Sequence, residues 1–176
     1  MPNKKEKNLV TWYMCGPTVY DQSHLGHAKT YMQSDILRRI LTDYFGYNVK
    51  MCMNITDIDD KIIMRSNEKK IKFEDLSRHF ETEFLTDCEN LNIRLPTVIT
   101  RVSEYVPEIV DFIQKIIDNG YAYESNGSVY FDVHKYQAAD CHTYAKLDPS
   151  KIGCLEAIAE GEGALQGDDV NTEKKN

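Results

Sequence analysis

The tightest constraint on this chain is a strand–helix–strand pattern that runs from Leu9 to Met53. Leu9 to Cys15 is a β-branched and aromatic run, and it stops abruptly at Gly16-Pro17, as a strand ending in a breaker does. From Ala28 to Phe45 the apolar residues Met32, Ile36, Leu37, Ile40, Leu41 and Tyr44 recur at helical spacing. Lys29, Arg38, Arg39 and Asp43 fill the other face, and Gly46 is placed to cap the C-terminus. Val49 to Met53 reads as a second buried strand. Two strands joined by so long a crossover imply a right-handed βαβ unit and a parallel sheet.

Two further helices follow. Phe73, Leu76, Phe80, Phe84 and Leu91 share one face of the first, and Val106, Ile109, Val110, Ile113 and Ile117 one face of the second, which ends at Asn119-Gly120. Tyr121 to Tyr123 and Val129 to Phe131 flank Asn126-Gly127, a strong short-range hairpin signal. The fold class is therefore α/β, with a parallel sheet, following helices and a β-hairpin. Residues 9–137 form the ordered part. Residues 138–176 read as an irregular, disordered segment, because periodicity fades and the final stretch holds three glycines, many charges and few large apolar residues.

Bulk chemistry excludes several classes. No apolar stretch approaches the roughly 20 residues needed to span a bilayer, and the charged run from Met1 to Asn8 lacks the apolar segment of a secretory signal. Five scattered cysteines without a C-x-x-C pair point to a reducing, cytoplasmic compartment and not to a disulfide scaffold. The formal charge of −7 means that any RNA must be held by a local patch or by other parts of a larger protein.

The residues with chemical potential gather where the strands end. His24-Leu25-Gly26-His27 lies between the first strand and the first long helix, where phosphates meet helix N-terminal amides in α/β sheets. Two imidazoles three residues apart can donate hydrogen bonds to phosphate oxygens, and Gly26 permits close approach of a base or ribose. Cys15 to Asp21 leads directly into His24, and Asn54 to Lys61 follows the second strand. Both segments sit at strand carboxyl ends, the edge at which open α/β sheets bind ligands. Asp57, Asp59 and Asp60 could suggest a divalent-cation site, but the preferred reading is negative charge at the N-terminus of the next helix. His79, His134 and His142 carry no motif and read as surface or structural, and the aromatic residues around the hairpin read as packing.

The run from Trp12 to Met64 closely resembles class I aminoacyl-tRNA synthetases specific for cysteine. Pro17 to His27 is similar to their HIGH-type nucleotide signature, and Asn54 to Ile63 to their N-I-T-D-I-D-D-K-I-I segment. A looser resemblance extends to Gly161, Glu162 and Gly163, and Thr143 to Leu147 resembles a segment of cytosolic eukaryotic members. The resemblance implies that the parallel sheet is an incomplete Rossmann-type one. It also implies activation of cysteine by ATP, with Mg2+ accompanying the nucleotide, and transfer of the cysteinyl group to tRNA(Cys). It implies that His24 and His27 stabilise charge on the transferring phosphate and that Thr18, His24, Gly26 and His27 bind ATP. It further implies that Gly16 and Thr56 line the cysteine pocket and that Cys15 is one ligand of a Zn2+ ion that binds the substrate thiolate. Such an ion separates cysteine from serine far better than shape alone, because zinc favours a thiolate over a hydroxyl.

Several family features have no counterpart in the sequence. The remaining zinc ligands, a K-M-S-K-S-like loop and an anticodon-recognising helical domain are not seen, and Met64 stands where lysine is more common. The expectation is thus the N-terminal part of a catalytic domain that, alone, neither binds zinc tightly nor forms cysteinyl adenylate. An alternative is a non-catalytic module, or a half that seeks a homodimer or other partner to cover its open sheet. A ligase joining cysteine to a sugar amine ranks lower, because Lys146-Leu147 and Glu160 to Leu165 resemble the cytosolic synthetases. A generic nucleotidyltransferase ranks last.

Overall fold

The structure, a computed structural model, describes residues 8–152. The chain divides into two compact units, one ending at Tyr105 and one beginning at Val106.

The first unit is built on a three-stranded parallel sheet, β1 (Leu9–Met14), β2 (Asn48–Ile55) and β3 (Val98–Arg101), in the order β1-β2-β3. β1 and β2 pair from Leu9 with Asn48 to Met14 with Met53, and β2 continues onto β3 from Cys52 with Val98 to Ile55 with Arg101. Parallel neighbours require crossovers. The first is α1 (Leu25–Arg39), prolonged by a π-helical turn over Ile40–Tyr44; the second contains α2 (Asp60–Lys69) and α3 (Phe73–Asn90). Gly46 adopts φ +70° just past the π turn, the left-handed conformation that ends a helix without a Cβ penalty.

Strand alternation decides the core. Met51, Met53 and Ile55 of β2, with Met14 of β1, are buried on one face of the sheet, in one cluster with Ile62 of α2 and Leu76, Phe80, Phe84 and Cys88 of α3. Of the expected apolar face of α3, Leu76, Phe80 and Phe84 are thus buried and Phe73 is half-buried, whereas Leu91 caps the helix and stays exposed.

The face of α1 departs from expectation. Tyr31 and Asp35 are its buried residues, whereas Met32, Ile36 and Ile40 are 41%, 54% and 44% exposed. The cause is polar. Asp35 accepts hydrogen bonds from Arg39 Nε at 2.6 Å and from the Arg94 amide at 3.2 Å. Arg38 donates to the Leu95 carbonyl at 2.7 Å, Arg39 to the Asn92 carbonyl at 2.6 Å, and Arg94 pairs with Asp43 at 2.7 Å. The side read as solvated is therefore the one fastened to the segment that leads into β3, and the apolar stripe is left uncovered by the described residues.

The second unit comprises α4 (Val106–Asp118), a hairpin of β4 (Ala122–Ser125) and β5 (Ser128–Phe131), and the short α5 (Val133–Gln137). Asn126 and Gly127 both have positive φ, 51° and 78°, the pair of left-handed residues that a two-residue type I′ turn demands. Tyr121, Phe131, Tyr136 and His142 pack ring on ring, with Tyr136 and His142 stacked at 4.5 Å. This agrees with the packing reading of these aromatics. After α5 come turns and a 3-10 turn at Pro149–Lys151. The rest of the segment expected to be irregular, including Glu160 to Leu165, lies outside the described residues.

Candidate functional site

The two loops at the strand ends are zipped together beyond the sheet. The Thr56 amide donates to the Pro17 carbonyl at 3.0 Å and the Val19 amide to the Thr56 carbonyl at 3.1 Å, which pairs Thr18 with Thr56 as a parallel bridge. Asn54, at the end of β2, holds the same junction with its side chain. Its Oδ1 accepts from the Gly16 amide at 3.0 Å and from the Tyr13 hydroxyl at 2.9 Å, and its Nδ2 donates to Thr56 Oγ1 at 3.3 Å. Gly16 is glycine for a steric reason: a Cβ there would lie 1.6 Å from the Asn54 carbonyl oxygen. The structure therefore brings Gly16, Thr18 and Thr56 together, with Cys15 next to them, its thiol exposed and donating weakly to the Gly16 carbonyl at 3.6 Å.

The two histidines form the start of α1. His24 is the N-cap, its Nδ1 accepting from the Gly26 amide at 3.0 Å, while His27 Nδ1 accepts from the His24 amide at 3.3 Å. The pair does reciprocally what Ser and Glu do in a capping box. An accepting Nδ1 assigns the proton of a neutral imidazole to Nε2, so both rings hold Nε2–H as a donor. The rings stack with centroids 4.0 Å apart. Partial burial, reinforced by neighbouring His24, holds the His27 pKa below its ordinary value and favours the neutral form. Gly26 also has a steric reason. A Cβ on it would meet the His24 ring at 2.8 Å, so the space beside Gly26 is taken by the imidazole it helps to position.

A cleft of about 360 Å³ opens against this helix start, lined by His24, His27, Tyr31, Phe84, Asp87 and Cys88 among others. Neither Cys15, Gly16, Thr18 nor Thr56 lines it. Tyr31 connects the two regions: its ring packs edge-on against Phe84 at 5.0 Å and its hydroxyl donates to the Cys15 carbonyl at 3.4 Å. Burial, with smaller contributions from Cys15 and Cys88, raises the Tyr31 phenol far above its usual range, so it serves as a neutral donor.

The carboxylates after β2 act as local anchors. Asp57 accepts from the Ser103 amide at 3.0 Å and also from the Ser103 hydroxyl. Asp59 is the N-cap of α2 and accepts from the Lys61 amide at 2.9 Å, and Asp60 occupies the first turn. Asp59 and Asp60 take the helix-start positions expected of them, whereas Asp57 is committed to Ser103 instead. Among the described residues no three His, Cys, Asp or Glu side chains come close enough to hold a metal. Zinc needs about three protein ligands beside its substrate, so Cys15 and its described surroundings do not fit such an ion.

Sequence reasoning had passed over Asn54, Tyr31 and Asp35. Asn54 stood inside a block already singled out, yet its partners Tyr13 and Gly16 lie 41 and 38 residues away, and no local pattern announces that contact.

Comparison with known proteins gives concordant results. Residues 2–176 match the family described as tRNA synthetases class I (C) catalytic domain. The chain is 54% identical over 166 residues to a protein of Dictyostelium discoideum named cytoplasmic cysteine–tRNA ligase, covering 94% of this chain and 25% of that protein. A cysteine–tRNA ligase of Encephalitozoon cuniculi is 54% identical over 133 residues, covering 76% of this chain and 28% of the relative. The cytoplasmic protein of that name from Xenopus tropicalis is 36% identical over 260 aligned residues, covering 92% and 35%. The chain thus spans between a quarter and about a third of the length of these relatives.

Proposed function

The chain belongs to the class I (C) tRNA synthetase catalytic-domain family, and from that premise we propose that it carries the cysteine-activating half-site of a cytoplasmic cysteine–tRNA ligase. The proposed reaction begins when the cysteine carboxylate attacks the α-phosphorus of ATP. One P–O bond forms and the bond to the β-bridging oxygen breaks, giving cysteinyl adenylate and pyrophosphate. A ribose hydroxyl at the tRNA(Cys) terminus then takes the cysteinyl group and releases AMP.

The observation that carries this reading is the histidine pair. Phosphoryl transfer asks a protein chiefly for positioning and for donors aimed at developing negative charge. The Nδ1 atoms of His24 and His27 are committed to backbone amides, and their Nε2–H groups sit at the positive end of α1. In this reading they donate to the α-phosphate oxygens and Thr18 adds a nucleotide contact, while Gly26 acts indirectly, by leaving room for the His24 ring. Gly16 and Thr56 bound the cysteine pocket on the neighbouring strand ends. Magnesium enters with the nucleotide. No step is routed through zinc, because Cys15 has no described co-ligands.

Cysteine-dependent ATP–pyrophosphate exchange tests the reading, measured on a polypeptide that joins this chain to the further region its relatives carry. His24→Asn and His27→Asn should each lower the exchange rate by ~10²–10³, the usual loss for one preorganised donor. Exchange that is absent, or that both substitutions leave intact, removes the support.

A second reading is favoured by the apolar stripe of α1 and the outer edge of β1, which no described residue covers or pairs with. In it these residues work only when a second copy or another polypeptide covers them. Sedimentation of the 176-residue chain separates the two: a stable monomer at micromolar concentration argues against a required partner.

A further inference from the structure

We propose that Asn54 is a positioning residue for the amino-acid half of the site: it sets the Gly16 amide and the Thr56 hydroxyl in register and so governs binding of cysteine but not of ATP. This role rests on the synthetase reading above.

The geometry is that of a staple. Gly16 ends one strand loop and Thr56 the other, and the Asn54 side chain is hydrogen-bonded to both, with Tyr13 as a third partner. A planar amide can do this because it offers an acceptor on one side and a donor on the other. Oδ1 takes the two hydrogens that come from the β1 side, the Gly16 amide and the Tyr13 hydroxyl. Nδ2 gives a hydrogen to Thr56 Oγ1, which fills one acceptor position of that hydroxyl and leaves its O–H to donate elsewhere. An amino-acid carboxylate or α-carbonyl oxygen needs such a donor.

The same residue acts again through its backbone, since the Asn54 carbonyl occupies the space where a Gly16 Cβ would stand. The two loops therefore approach closely at this point, and the side chain fixes how they are aligned along the strands. His24 and His27 make no hydrogen bond to Asn54 or its partners among the described residues, so the histidine part of the nucleotide site is held separately by the α1 cap, while Thr18 is fixed beside Thr56 by backbone hydrogen bonds that the Asn54 side chain does not make.

The discriminating variants are Asn54→Ala and Asn54→Asp in that same extended polypeptide. Asn54→Ala removes the whole staple. Asn54→Asp keeps an acceptor for Gly16 and Tyr13 but replaces the donor to Thr56 with a second acceptor, so the threonine hydroxyl must turn inward to satisfy it. Pyrophosphate exchange should show a KM for cysteine raised ~10-fold or more in both variants, the effect of about one displaced hydrogen bond, with the KM for ATP within about twofold. Amide exchange should find the Gly16 N–H deprotected in Asn54→Ala and protected in Asn54→Asp, which separates alignment of the loops from orientation of the hydroxyl. A cysteine KM left within twofold in Asn54→Asp overturns the proposal, as do equal increases in both KM values. Wild-type protein without cysteine-dependent exchange instead removes the synthetase reading on which the role rests. If Asn54→Ala fails to fold, the near-isosteric Asn54→Asp still decides.

Discussion

Replacing Gly16 by alanine should damage this protein far more than the addition of one methyl group suggests. The added Cβ would lie 1.6 Å from the Asn54 carbonyl oxygen and 2.9 Å from Met53 Cγ, where real Cβ atoms keep at least 3.0 Å. The backbone of the 15–17 segment or of the β2 end must therefore move by about 1.4 Å. A shift of that size also stretches the 3.0 Å bond from the Gly16 amide to Asn54 Oδ1 beyond hydrogen-bonding range. Overpacking of this kind costs ~1–3 kcal/mol and the lost hydrogen bond ~1 kcal/mol more, so the expected loss is about 2–4 kcal/mol. With a denaturant slope of ~2 kcal/mol per molar, the urea midpoint should fall by roughly 1–2 M. Gly46→Ala is the control. It has φ +70° but nothing within 4 Å, so it should lose only the ~1–2 kcal/mol of a left-handed alanine. Any exchange activity left in Gly16→Ala should drop by at least ~10²-fold, because misplacement by about 1 Å is that costly to a positioned reaction. A Gly16→Ala protein with an unchanged urea midpoint would refute the account of why glycine stands there.

Other outcomes follow from the same structure. Cys15 and Cys141 are exposed while Cys88 is buried, with burial raising its thiol pKa to about 11; thiol-reactive probes at pH 8 should label the first two quickly and Cys88 only on unfolding, as mass spectrometry of the peptides would show. His27 has a folded pKa below its ordinary 6.5, so the unfolded chain takes up that proton first. Its contribution to stability is complete above about pH 6.5 and declines as pH falls through the lower folded value; His27→Gln should flatten that limb in urea titrations at pH 5–7. Phe84 is 3% exposed in the core and meets the Tyr31 ring; Phe84→Ala should cost ~3–5 kcal/mol, and a loss below 1 kcal/mol by denaturation would contradict its placement.

The sequence by itself determined everything that depends on a few neighbouring residues. Strand, helix and strand were legible from Leu9 to Met53 because side-chain period is a local property, and the hairpin from Asn126-Gly127 because two successive positive φ values admit few residue types. The two blocks that carry the family resemblance were legible too, and the family match agrees with them. Tertiary structure alone decided which face of α1 turns inward. An apolar stripe through Met32, Ile36 and Ile40 predicted one answer, and Asp35, bound to Arg39 and to the amide of Arg94 59 residues away, gave the other. It likewise decided that Asn54 ties Gly16 to Thr56. In each case the deciding energy is a hydrogen bond made by a side chain. Where such a contact spans tens of residues, no window of sequence contains both of its partners.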